Sequence, residues 1–304
     1  EIKNRFAAVT LYEAIRDQKT HGILHEDREH RTVDIGVPVG VVAGLVPSTN
    51  PTSTVIYKAM ICLKAGNPII FSPHPSAVGC ILETVNVIRQ AAERAGAPTG
   101  SISCITTPTI EATNTLMRHD ITRLILATGG AAMVKAAYSS GTPAIGVGAG
   151  NGPAYIHHTA NVEQAVKRIL DSKTFDNGTI CASEQSVIME ARMEPAVKTA
   201  LRAQGAYLLD EEETRQLSRF ILRANGTMNP AIVGKSVETV AKLAGLTRVP
   251  ASARVLVARE TGVGKGHPYS SEKLGLILAY YVEPDEQAVL RRCVEILEWE
   301  GAGH

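Results

Sequence analysis

Cys181 is the residue whose type and surroundings best suit nucleophilic chemistry. It follows a polar, glycine-containing stretch, Ser172–Ile180 (SKTFDNGTI), and precedes Ala182-Ser183-Glu184. A thiol on a loop, followed by backbone able to open a helix, can have its pKa lowered and attack as the thiolate. The competing reading is a buried thiol without chemistry. That second reading is the expectation for Cys62, Cys80, Cys104 and Cys293, which sit inside the apolar runs AMICLKA, VGCILE, SISCIT and RRCVEIL.

Two further segments could serve such a nucleophile. The turn Pro47–Thr54 (PSTNPTST) carries Asn50, whose side-chain amide can donate to a developing oxyanion. Asn before Pro is equally an N-cap or turn residue. Thr128-Gly129-Gly130 lies between an apolar strand pattern and a helix-forming run, Ala131–Tyr138. Strand, small-residue turn and helix let backbone amides approach a phosphate; a plain tight turn is the alternative. No GxGxxG follows a strand and opens a helix. The nine histidines show no metal spacing, His157-His158 would point oppositely on a strand, and no CxxC occurs. No metal site is expected.

Strand candidates recur at Gly40–Val46, Pro68–Ser72, Ile102–Thr106, Arg123–Ala127, Ala144–Val147, Ala154–His157, Ser186–Met189, Ala231–Gly234, Arg254–Ala258 and Leu276–Val282. Between the second and third, Ile81, Val85, Ile88, Ala92 and Ala95 keep one apolar stripe on a helix. Pro75 suits its first turn, and Gly96 with Pro98 ends it. A second helix, Asp285–Glu298, presents Val289, Cys293, Ile296 and Leu297. The alternation predicts doubly wound parallel sheets with sites at the carboxyl ends of strands. The glycine- and proline-rich segment Gly141–Pro153 is the expected boundary, giving domains 1–150 and 151–304.

Composition limits the function classes. The 304 residues are 44% apolar and 20% charged with net charge +1, enough for a full core and without the basic surplus of a nucleic-acid binder. No apolar run approaches the roughly 18 residues of a membrane span. The N-terminus (EIKNRFAAVT) lacks a signal pattern, so a cytoplasmic protein is expected. Five scattered cysteines make no disulfide framework.

Taken in order, Gly36–Thr54 (GVPVGVVAGLVPSTNPTST), Ile70–Ala77 (IFSPHPSA), Ala127–Gly141 (ATGGAAMVKAAYSSG), Gly146–Pro153 (GVGAGNGP) and Ser172–Val187 (SKTFDNGTICASEQSV) resemble the aldehyde dehydrogenase superfamily. Within it they are most similar to the CoA-acylating branch, above all the aldehyde dehydrogenase half of bifunctional aldehyde–alcohol dehydrogenases. The resemblance implies an aldehyde dehydrogenase-like α/β fold, with the active site between an NAD-binding and a catalytic domain. It gives Cys181 the role of nucleophile and Asn50, with the Cys181 amide, that of oxyanion donor. Thr128, Gly129 and Gly130 match the turn facing the NAD pyrophosphate, and Ser72, His74 and Pro75 the adenosine side. Non-acylating relatives usually carry a Lys near His74. Glu272, in SEKL, matches the glutamate that holds the nicotinamide ribose. His304 matches the active-site histidine of acylating members.

Hydrolytic relatives carry a water-activating Glu in the segment matching Gly146–Gly150; here it reads GVGAG, with Val147 at that position. Without that base a thioester on Cys181 should resist water and await a thiol such as CoA. The reaction implied is reversible oxidation of a small aldehyde to an acyl-CoA with NAD. The rival readings are a hydrolytic enzyme, one reducing an acyl phosphate, an acylating enzyme for a sulfonated or carboxylated aldehyde, and an inactive fragment or scaffold. Family members begin before Glu1 and continue past His304, so the chain is expected to be truncated at both ends. A homo-oligomer, a fused alcohol dehydrogenase domain and a bacterial microcompartment belong to the same set of implications.

Overall fold

A computed structural model of the protein describes residues 1–224 and 226–301. The chain divides into two compact units, Glu1–Gly148 and a second starting at Ala149. The division falls inside the glycine-rich segment 141–153.

The first unit opens with helices α1 (Ile2–Arg5) and α2 (Leu11–Ile15), joined by a π-helical turn, and an antiparallel hairpin of β1 (Gly22–Asp27) and β2 (Thr32–Gly36). Neither hairpin strand was expected, because both are almost entirely exposed and show no buried face. Next in the chain are β3 (Val41–Val46), α3 (Pro51–Lys64), β4 (Ile69–Pro73), α4 (Val78–Arg94), β5 (Ile102–Cys104), α5 (Ile110–Arg118), β6 (Thr122–Thr128), α6 (Ala131–Tyr138) and β7 (Ala144–Val147). The strands form a wholly parallel sheet in the order β5-β4-β3-β6-β7. Val55, Ala59, Cys62, Ile81 and Val85 of α3 and α4 bury one face. Met117 and Ala137 of α5 and α6 bury the other. Coverage on both sides is why β3 reads VVAGLV rather than alternating. Chain direction reverses between β3 and β6, the topological switch point where such sheets bind ligands beyond their carboxyl ends.

The second unit runs β8 (Gly152–Tyr155), α7 (Val162–Thr174), β9 (Glu184–Glu190), α8 (Glu194–Ala203), β10 (Ala206–Leu208), α9 (Glu211–Ile221), α10 (Val237–Ala244), β11 (Val255–Arg259), β12 (Ile277–Glu283) and α11 (Glu286–Trp299). Its sheet is also wholly parallel, ordered β10-β11-β12-β9-β8. Val166, Ile169, Leu170, Val197 and Leu201 of α7 and α8 fill one side. Leu217, Ile221, Val240, Val289 and Ile296 of α9, α10 and α11 fill the other.

Three local expectations need correction, and one strand was not foreseen. Residues 231–234 form a turn, not a strand; Ile232 N–H bonds Asn229 O and Lys235 N–H bonds Ile232 O, while Gly234 N–H makes a single bond to Leu274 O rather than joining a ladder. The three-residue strand β10 was too short to signal itself. Cys80 is exposed rather than a core thiol, because it lies off the α4 stripe whose Ile81 and Val85 are buried. His157 and His158 lie beyond the end of β8 and do not point oppositely; their rings are 3.9 Å apart.

Candidate active site

In the first unit the switch point is furnished from both sides. Asn50 leaves the end of β3 and stands at the N-cap position of α3, where its carbonyl accepts Thr54 N–H at 3.1 Å. Its side chain makes no cap bond; Asn50 Nδ2 lies 3.5 Å from Thr49 Oγ1. Asn50 thus starts the helix with its backbone and leaves the amide available to another acceptor.

Thr128 ends β6 and Gly130 is the N-cap of α6. Gly129 N–H bonds Val147 O at 3.3 Å, and Tyr57 Oη lies 3.3 Å from Thr128 Oγ1. A Cβ on Gly130 would meet nothing within 4 Å, so the space above this helix start is open. Between the two strands Lys58, only 1% exposed, donates to Leu45 O at 2.7 Å and Leu126 O at 2.8 Å. Burial pushes its amine down to about 7. Sequence reasoning missed Lys58; a lysine among the buried positions of α3 was the available signal.

The adenosine-side residues separate. Ser72 is buried on β4, its hydroxyl 2.8 Å from Thr113 Oγ1, which makes it a support for the segment. His74 and Pro75 are exposed beyond the strand end. His74 Nδ1 accepts from Ser76 N–H at 3.2 Å and lies 2.8 Å from Ser76 Oγ. Partial desolvation of the ring holds its pKa below the usual histidine value.

In the second unit Cys181 is half-buried in a turn between a 3₁₀ segment, Phe175–Gly178, and β9. The next element after Cys181 is a strand and not a helix, so the expected helix start behind the thiol is corrected; Val187, Ile188 and Met189 of that strand are fully buried in the sheet. The turn is unusual upstream instead. Asp176, Asn177 and Gly178 have φ of +50°, +51° and +71°, three successive left-handed residues of a kind that persists only when neighbours enforce it. They do so here. A Cβ on Gly178 would stand 2.4 Å from Gly275 O, Asn177 Nδ2 donates to Gly234 O at 3.2 Å, and Thr179 Oγ1 donates to Asp176 Oδ2 at 2.8 Å.

Glu272 lies on the segment that Gly178 abuts. Its Oε1 accepts Gly150 N–H at 2.9 Å, and its own N–H bonds Glu300 Oε2 at 2.9 Å. Burial raises its pKa to about 7. Behind it are two fully buried lysines that sequence reasoning missed, Lys173 and Lys273. Lys173 continues the buried Val166, Ile169, Leu170 stripe of α7, and a lysine at that position was the signal. His304 lies outside the described residues.

Against this geometry stand the comparisons with known proteins. The aldehyde dehydrogenase family profile matches residues 1–219. The bifunctional aldehyde-alcohol dehydrogenase AdhE of Escherichia coli K12 is 46% identical over 303 residues, which are 100% of this chain and 34% of that protein. A probable aldehyde dehydrogenase of Listeria monocytogenes superimposes with a TM-score of 0.96 at 62% identity, covering 99% of this chain and 66% of that one. An acetylating aldehyde dehydrogenase of Geobacillus thermoglucosidasius gives 0.94 at 52%, with the same coverage. This chain therefore spans about a third of the curated relative and just under two thirds of the two solved chains. With the match spread over both sheets and the Cys181 turn, the chain belongs to the aldehyde dehydrogenase family.

Proposed function

We propose that the chain carries the cofactor-binding and nucleophile-bearing parts of a CoA-acylating aldehyde dehydrogenase that converts a small aldehyde to its acyl-CoA. The observation that carries the reading is Val147, at the end of β7, where hydrolytic relatives place the water-activating carboxylate. An apolar side chain there cannot deprotonate water.

Cys181 adds as the thiolate to the aldehyde carbon, and the carbonyl electron pair moves onto oxygen. The Asn50 amide and the Cys181 N–H donate to that oxyanion. Bound NAD would supply the acceptor for the hydride on that carbon. The open space at Gly130 suits a pyrophosphate approaching the start of α6, with Thr128 and Gly129 beside it, and α6 N–H groups unused by the helix can receive it. His74 and Pro75 fit the adenosine side, and Glu272 the nicotinamide ribose. Cys181 then holds the acyl group as a thioester until the CoA thiol displaces it, with His304 taking the thiol proton. Among the described residues no helix is long and apolar enough to cross a membrane. Action in the cytoplasm as a homo-oligomer belongs to the same reading, and a microcompartment setting would suit the same chemistry.

The test is NADH formation from acetaldehyde by the complete protein with and without CoA. Strict dependence on CoA, lost in Cys181→Ala while NAD still binds, is the expected result. NADH without CoA would mean that water reaches the thioester and would assign the chain to the hydrolytic branch.

A further inference from the structure

Two lysines are fully buried behind the Cys181 turn, although a lysine is almost never buried without a partner. Lys173 Nζ donates to Gln185 Oε1 and to Lys273 O, each at 2.9 Å. Gln185 Oε1 accepts a second donor, Lys273 N–H, also at 2.9 Å. Lys273 Nζ in turn donates to Tyr269 O at 2.6 Å and Ser271 O at 2.7 Å. The four acceptors are three backbone carbonyls and one amide; neither amine is paired with a carboxylate among the described residues.

The placement of these bonds matters more than their number. Lys173 lies eight positions before Cys181 and Gln185 four after it, so Lys173 to Gln185 closes the base of the turn that bears the thiol. Lys273 is the neighbour of Glu272. One oxygen, Gln185 Oε1, thus ties the base of the Cys181 turn to the backbone of the Glu272 segment. At the other end of the turn, the same segment meets Gly178 through Gly275 O. The turn and the segment are therefore fastened to each other at two points, one backbone contact and one lysine.

We propose that Lys173 is a positioning residue that locks the Glu272 segment to the Cys181 turn. Its kinetic test rests on Glu272 holding the cofactor ribose. Every acceptor in the network is neutral, and burial holds both lysine amines below the usual lysine range, so hydrogen bonds and not an ion pair fasten the segment.

The experiment uses steady-state kinetics of the complete enzyme, with four proteins in parallel. Lys173→Met removes both donors at nearly constant volume. Gln185→Leu removes the shared acceptor. Both should raise KM for NAD about tenfold with kcat at saturating NAD reduced less than threefold. A general loss of structure would lower kcat as far as it raises KM, and that outcome in the folded variants overturns the positioning role. Unchanged KM in Gln185→Leu overturns the lock, and this variant decides the proposal alone if Lys173→Met fails to fold. Glu272→Gln separates the two levels. If it leaves KM for NAD unchanged, the assignment of Glu272 is wrong; if it raises KM while Lys173→Met does not, only the role given to Lys173 fails.

Discussion

Replacing Gly178 by alanine should destabilise the second unit and displace the Cys181 turn together. Gly178 has φ +71°, and holding an alanine there costs about 1–2 kcal/mol. The new Cβ would also stand 2.4 Å from Gly275 O and 2.7 Å from Gly275 C. Those are backbone atoms and cannot rotate away, so overpacking adds roughly 1–3 kcal/mol. The sum, about 2–5 kcal/mol, corresponds to a fall in Tm of roughly 4–20 °C for a unit of this size. Gly266→Ala is the control. Its φ is +97° but nothing lies within 4 Å of the added methyl, so it carries the backbone cost alone. Differential scanning calorimetry on both variants isolates the clash as their difference. The rate of Cys181 alkylation by iodoacetamide reports the turn, and it should change in Gly178→Ala and not in Gly266→Ala. Equal Tm values for the two variants, or a Gly178→Ala protein with unaltered Tm and alkylation, would refute the claim that contact with Gly275 fixes the turn.

Three further outcomes are expected. Asn50→Ala should lower kcat about 10²–10³-fold, the usual loss for one oxyanion donor, with little change in Tm because its side chain caps nothing; a Tm loss without a kcat loss would make it a structural residue. Gly130→Ala should fold normally, since its φ of −65° and open surroundings accept a methyl, yet it should raise KM for NAD by placing that methyl where the pyrophosphate is to lie; unchanged KM moves the phosphate elsewhere. Burial raises the Glu272 carboxyl to about 7, so its anionic form grows as pH rises through that value and is lost below it. Affinity for NAD, followed by fluorescence titration, should therefore weaken about tenfold per pH unit below about 7, and Glu272→Gln should abolish that dependence.

Much of this architecture was legible because it rests on local pattern. The apolar runs of β3, β6, β9 and β12 and the stripe of α4 depend on burial against neighbours in any fold of this class, so spacing alone reveals them. The hairpin β1–β2 leaves no such trace because it buries almost nothing, and residues 231–234 mislead because an apolar tetrapeptide in a turn looks like a short strand. For the site, residue type and order around Cys181, Asn50 and Thr128–Gly130 were enough to assign the family and to set Val147 against the hydrolytic reading.

What the sequence by itself determined, then, is which groups can react and which strands and helices exist, since both depend on side-chain chemistry and short-range periodicity. Tertiary structure alone decided how those groups are held. The left-handed run Asp176–Gly178 needs Gly275, nearly a hundred positions downstream, to enforce it. The burial of Ser72 against Thr113 and the convergence of Lys173 and Lys273 on one oxygen of Gln185 are likewise settled by residues far apart in the chain. No local propensity encodes them, because each exists only once the parallel sheets have brought their strands into register.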